Sequence, residues 1–196
     1  MKRLIPLCLI SISFSCFSQE NAAEFQRIAK EAKMEFSEPE GLDPRSAVKN
    51  NQMNWDITYS DGSGSSEIRY AIQPLGKLIE RYEEFEKSKQ EGNAMIHPNT
   101  IHFSALQATV LSIAGGRLPE LEEFDSQAVK SEFNADWGAT TLIRPTGRFA
   151  QEFSLCRIIA LHKDDYADAY ILFMANNEND LQKLMAKNFY QLLFKN

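Results

Sequence analysis

Two stretches late in the chain, "LCRIIALH" (residues 155–162) and "DAYILFMA" (residues 168–175), constrain the fold more than any other feature. Successive side chains of a strand point to opposite faces. Read at that period, Leu155, Ile159 and Leu161 share one face of the first stretch, and Cys156, Ile158 and Ala160 share the other. The second stretch sets Tyr170, Leu172 and Met174 against Ala169, Ile171, Phe173 and Ala175. Strands apolar on both faces must be covered on both, and helical layers on each side of a sheet do this. Apolar residues at helical spacing supply the cover. They predict a helix over 75–91 (Leu78, Ile79, Tyr82, Phe85) and a second over 101–114, capped at Asn99 or Thr100. A third runs through "DLQKLMAKNFYQLLF", with Asp180 as its cap. The expected class is α+β: a mostly antiparallel central sheet of about six strands with helices on both faces.

The rest of the chain fits around that centre. Phe25, Ile28, Ala29 and Ala32 predict an early helix, and "MEFSEP" a short strand, with "LDPRSAVKNNQ" as a polar loop. "MNWDITYS" and "SEIRYAIQP" alternate apolar and polar residues around the turn "DGSGS". That pattern predicts a hairpin with one wet face near the sheet edge. Ser126 is expected to cap a short helix ending at Phe133. "ATTLIRP" reads as a strand, "TGR" as a turn, and "FAQEFSLCRIIALH" as largely strand. No internal repeat or linker interrupts residues 19–196, which read as one globular domain. An opening strand "MEFSEPEG", a hairpin "WDITYSDGSGSSEIRYAIQP", two helices, a late hairpin and a helix ending "FYQLLF" together resemble the PsbP-like α/β/α sandwich. That resemblance implies a fold shared by photosystem subunits, lipoproteins and small binding proteins, mostly non-enzymatic.

The N-terminus, "MKRLIPLCLISISFSCFSQE", has a basic start at Lys2 and Arg3, an apolar run too short to span a bilayer, and then small residues. This is the pattern of a secretory signal peptide, 1–18, with cleavage after Ser18. A rival cut before Cys16 would leave a lipid-anchored protein, but Ser13 stands where a lipobox usually has leucine. The leader's ending, "FSQ", is similar to those of Bacteroidetes-type secreted proteins. The expected location is therefore the periplasm or outside the cell, with no transmembrane span in the mature chain. Cys156 is the only cysteine after residue 18, so no internal disulfide is expected there, and its apolar setting makes it a small core hydrophobe. A net charge of -6 repels phosphate backbones and argues against nucleic-acid binding.

Chemistry-bearing residues crowd into "LHKDDYADAYILF", residues 161–173. His162, Asp164, Asp165 and Asp168 are a candidate metal set, because loop carboxylates suit hard cations. Against this, the spacing matches no calcium loop, and aspartate serves turns well. The preferred account is a hairpin loop, Lys163 to Ala167, between two central strands. "HPNTIH" (His97 to His102) lacks the helical spacing of a zinc pair. "DGSGSS" has no lysine and opens no helix, so it is no phosphate loop. Trp137, Arg144 and Arg148 are of the types enriched at interfaces and are the interaction candidates, although a place in the core is the preferred account of Trp137. No catalytic residue and no cofactor is expected. The leading reading is a non-catalytic binding or accessory protein with an unidentified protein or small ligand as partner. The alternatives are a metal-assisted envelope hydrolase centred on His162, or a small-ligand carrier with a pocket between sheet and helices.

Overall fold

A computed structural model describes residues 12–48, 50–147, 149–150 and 152–195, the side chains of 12–20 excepted. The chain opens with α1 (Ile12–Glu31), β1 (Met34–Phe36), β2 (Asp43–Ser46), β3 (Ile57–Ser60) and β4 (Ser66–Pro74). Then come α2 (Gly76–Ser88), a 3-10 turn (Pro98–Thr100), α3 (His102–Ile113), β5 (Glu122–Glu123), α4 (Ser126–Phe133) and β6 (Trp137–Ile143). The hairpin of β7 (Leu155–Lys163) and β8 (Ala167–Ala175) precedes α5 (Glu178–Asn188) and β9 (Leu192–Phe194). Seven strands form one antiparallel sheet in the order β2-β3-β4-β8-β7-β6-β5. The remaining two, β1 and β9, pair as a separate antiparallel ribbon.

The fold is α+β, and its centre is the hairpin that the alternation predicts. Every residue of β8 is buried. Ile159, Leu161, Ala169, Ile171 and Phe173 meet Phe25, Ala29 and Ala32 of α1, Val129 and Phe133 of α4, and Leu181 and Leu184 of α5. On the opposite face, Cys156, Ile158, Ala160, Tyr170, Leu172 and Met174 meet Leu106, Val110 and Ile113 of α3. The two layers bury the two alternating sets separately, as the period of a strand requires. Gly138 brings α4 and Phe124 close to β6: a Cβ there would stand 2.8 Å from Val129 and 2.9 Å from Phe124. Among the described residues no helix is long and apolar enough to cross a membrane.

Several expectations change. "LDPRSAVKNNQ" contains an edge strand, β2, so the β3–β4 hairpin is not at the edge and β4 pairs with the central β8. The face expected to be wet is covered at its centre: all four residues of β3 are buried, and so is Arg69 of β4, while Asn54 and Gln73 are exposed and Asp56 and Glu67 half-buried. α2 forms where expected but buries none of its residues, and Leu78, Ile79, Tyr82 and Phe85 are only half-buried. Cover on the α3 face is completed instead by Trp55, Phe149, Ala150 and Phe153. The last three of these lie in a loop, because β7 begins only at Leu155. Asp125 caps α4, accepting from the backbone of Gln127 and Ala128, and Asn177 caps α5. Neither Asn99 nor Thr100 caps α3; His97 caps the 3-10 turn ahead of it. The apolar run ending the chain leaves the helix at Asn188, and Leu192–Phe194 pairs with β1.

Candidate functional site

At one end of the β7–β8 hairpin the register sets His162 directly opposite Asp168. Both side chains turn toward the α3 face, and both are buried, at 1% and 3% exposure. His162 Nδ1 lies 2.6 Å from Asp168 Oδ1, and Nε2 lies 2.9 Å from Asp164 Oδ1. Both contacts have hydrogen-bond length, and each suits a ring N–H donating to a carboxylate oxygen. Burial alone would lower the imidazole pKa, but the bonds to Asp168 and Asp164 and their charges outweigh it and raise it. His162 is thus held between two carboxylates, a setting that favours its protonated form.

Around it the corner is closed by aromatic and polar contacts. His102, at the start of α3, stacks on His162 with ring centres 4.1 Å apart and 20° between planes. His102 Nδ1 donates to the Asn99 carbonyl at 2.9 Å. Burial first, and then the interaction with His162, hold the His102 pKa below its usual value, opposite in direction to that of His162. Trp137 packs on His102 at 4.7 Å, and its indole N–H donates to Glu123 at 3.0 Å. Asp165 takes the left-handed conformation (φ 66°) at the turn and exchanges two hydrogen bonds with Asn99. The backbone N–H of Asp164 donates to Asp136, which also accepts from Lys130.

The four residues singled out in the sequence therefore do not converge as one set. His162, Asp164 and Asp168 meet, but as donor and acceptors of one another; Asp165 faces Asn99. Among the described residues no group of three or more His, Cys, Asp or Glu could hold a metal ion. The hairpin loop is confirmed at Asp164–Tyr166, while His162 and Asp168 are buried strand ends rather than loop residues. Trp137 is half-buried in the same corner. Arg144 is exposed beyond the end of β6, and Arg148 lies outside the described residues. Cys156 is buried in the α3-side core, where burial pushes its thiol up to about 12, far from a reactive thiolate.

The sequence reading passed over Arg157. It lies on the α5 face of β7, in the row of Leu155, Ile159 and Leu161, with Leu142 of β6 and Phe173 of β8 beside it. Here the helical cover is incomplete. A groove of about 500 Å³ runs between β6–β7 and α5, lined by Phe124, Leu142, Arg157, Ile159, Leu181, Met185 and Phe189, with Thr140, Glu178 and Gln182 as its other polar members. The guanidinium makes no hydrogen bond or ion pair with a described residue. The signal was present in the sequence: one charge interrupts an otherwise apolar row.

No family model matches the chain, and no curated protein matches it in sequence. Among solved structures it is similar to the solution structure of cyanobacterial PsbP (CyanoP) from Synechocystis sp. PCC 6803, with 13% identity, a TM-score of 0.47, and coverage of 84% of this chain and 88% of that one. The likeness concerns the course of the backbone, and no residue role is taken from it.

Proposed function

We propose that the chain is an exported, non-catalytic binding or accessory protein of the cell envelope. One observation carries the non-catalytic part. The most enzyme-like cluster, around His162, has both ring nitrogens committed to Asp168 and Asp164. A general base needs a free nitrogen within reach of a substrate proton, and a metal ligand needs a lone pair; His162 offers neither in this arrangement. Export is supported by the basic-then-apolar leader ending at Ser18. A cut there leaves Phe25, Ala29 and Ala32, the residues by which α1 enters the core, on the mature chain. The groove under α5 favours the small-ligand form of this reading, since clefts of roughly 300–1,000 Å³ with few polar groups are typical ligand sites.

Elemental analysis of the protein isolated from cells tests the first claim: no stoichiometric zinc, calcium or manganese is expected. A bound metal that is lost in Asp165→Ala or Asp164→Ala would overturn the reading in favour of a metal-assisted hydrolase. Intact mass of the same sample is expected to place the N-terminus at Gln19. A lipid-modified Cys16 would replace secretion by anchoring, and a retained Met1 would exclude export.

A further inference from the structure

We infer that the groove between β6–β7 and α5 binds a single-chain carboxylate amphiphile, its chain along the apolar walls and its head on Arg157. The proposal rests on the reading of the chain as a small-ligand binder and names the ligand class. Six apolar side chains, Phe124, Leu142, Ile159, Leu181, Met185 and Phe189, line the groove, which suits an extended hydrocarbon. Arg157 supplies the polar end. It is half-buried, flanked along β7 by Leu155 and Ile159 and across the strands by Leu142 and Phe173. Its guanidinium has no ion pair or hydrogen bond among the described residues.

The chemistry of the head follows from charge and shape. A guanidinium matches a carboxylate through two parallel N–H···O bonds. A lone arginine neutralises one negative charge, whereas Glu178 in the groove lining and the net charge of -6 disfavour a dianion such as a phosphomonoester. A neutral head would leave the guanidinium unpaired next to the apolar chain, and a cationic head would be repelled by it. A guanidinium that merely reaches water along its aliphatic stem would make the head group irrelevant, and the two cases differ in a direct measurement.

The test is titration of the purified full-length protein with dodecanoate, dodecanol and dodecyltrimethylammonium below their aggregation concentrations, followed by native mass spectrometry and calorimetry. One dodecanoate per chain is expected, bound about tenfold or more tightly than dodecanol, as a charge-assisted pair requires, and the cation is expected to bind weakest. Arg157→Gln should bring dodecanoate down to the level of dodecanol. Met185→Trp, which fills the groove, should weaken both. Equal binding of acid and alcohol by the wild-type protein would overturn the proposal without reference to any variant. Unchanged dodecanoate affinity in Arg157→Gln would do the same. A different ligand that co-purifies independently of Arg157 would overturn the proposal while leaving the carrier reading standing; no binding of any probe and no co-purified ligand would remove both.

Discussion

One sheet presents an arginine to each of its two layers, and the surroundings of the two differ. Arg69 of β4 points to the α3 side and is 5% exposed. Its Nε donates to Glu67 at 2.5 Å, its Nη1 donates to the Phe149 carbonyl at 2.7 Å, and its guanidinium lies 4.1 Å from the Trp55 ring and 4.8 Å from that of Phe149. Arg157 of β7 points to the α5 side, half-buried, and has none of these partners among the described residues. His162, also buried on the α3 side, likewise has both ring nitrogens paired, with Asp164 and Asp168. A charge taken from water needs compensation by partners or by residual solvent. On the α3 side the protein supplies that compensation internally, and the two groups tie loops to the sheet: Arg69 contacts the segment at Phe149, and His162 the hairpin tip at Asp164. On the α5 side no described residue meets that requirement for Arg157, which solvent or a ligand can then fill.

Deleting a fully compensated charge should be costly and deleting an uncompensated one should not, so stability measurements can break this contrast. Arg69→Ala is expected to lose about 3–5 kcal/mol in urea unfolding, because the half-buried Glu67 carboxylate and the Phe149 carbonyl both lose their partner. Arg69→Met combined with Glu67→Leu should cost clearly less than that single change. Asp168→Ala is expected to lose about 2–3 kcal/mol near pH 6, the worth of a buried bond to a charged group. The loss should depend on pH in a defined direction. The folded-state pKa of His162 is raised above 6.5, so its contribution is complete below 6.5 and disappears as pH rises through the folded value. The gap between wild type and Asp168→Ala should therefore narrow toward alkaline pH. His102 acts with the opposite sign: its folded pKa is lowered, so its contribution is present above 6.5 and is lost as pH falls. In His102→Gln that acid-side loss should vanish from the unfolding profile. Arg157→Leu should leave stability unchanged or raise it by up to about 1 kcal/mol, since it completes an apolar row; a loss above about 2 kcal/mol would show that Arg157 is compensated after all. Arg144→Ala, on the exposed end of β6, should stay within about 0.5 kcal/mol.

What the sequence reveals follows the range of the interactions involved. The alternation in β7 and β8 and the stripe Phe25, Ala29 and Ala32 are read within a few residues, and burial sorts them as the period predicts. The pairing of His162 with Asp168 was also legible in principle, because a short turn between two strands fixes which residues face each other. The stack with His102, the bonds of Asp165 to Asn99 and the support from Asp136 join segments far apart in sequence, and no local pattern announces them. "FYQLLF" misleads for a related reason: a short apolar run suits helix and strand alike, and the pairing with β1 decides. Thr58, Ser60 and Arg69 look like a solvated face, yet the neighbours that bury Arg69 come from the loop at Phe149 and from Trp55. The stripe of α2 has helical spacing, yet none of its residues is buried, and an amphipathic pattern alone cannot distinguish such a helix from true cover.

The β1–β9 ribbon has a consequence for the order of events in the cell. Met34 pairs with Phe194, some 160 residues later, and Lys195 donates its backbone N–H to the Lys33 carbonyl. The segment that secures the end of α1 is thus made long after α1 itself. Long-range closure of this kind is slow to form. The helix α1 therefore waits, unlatched, for a strand made some 160 residues after it.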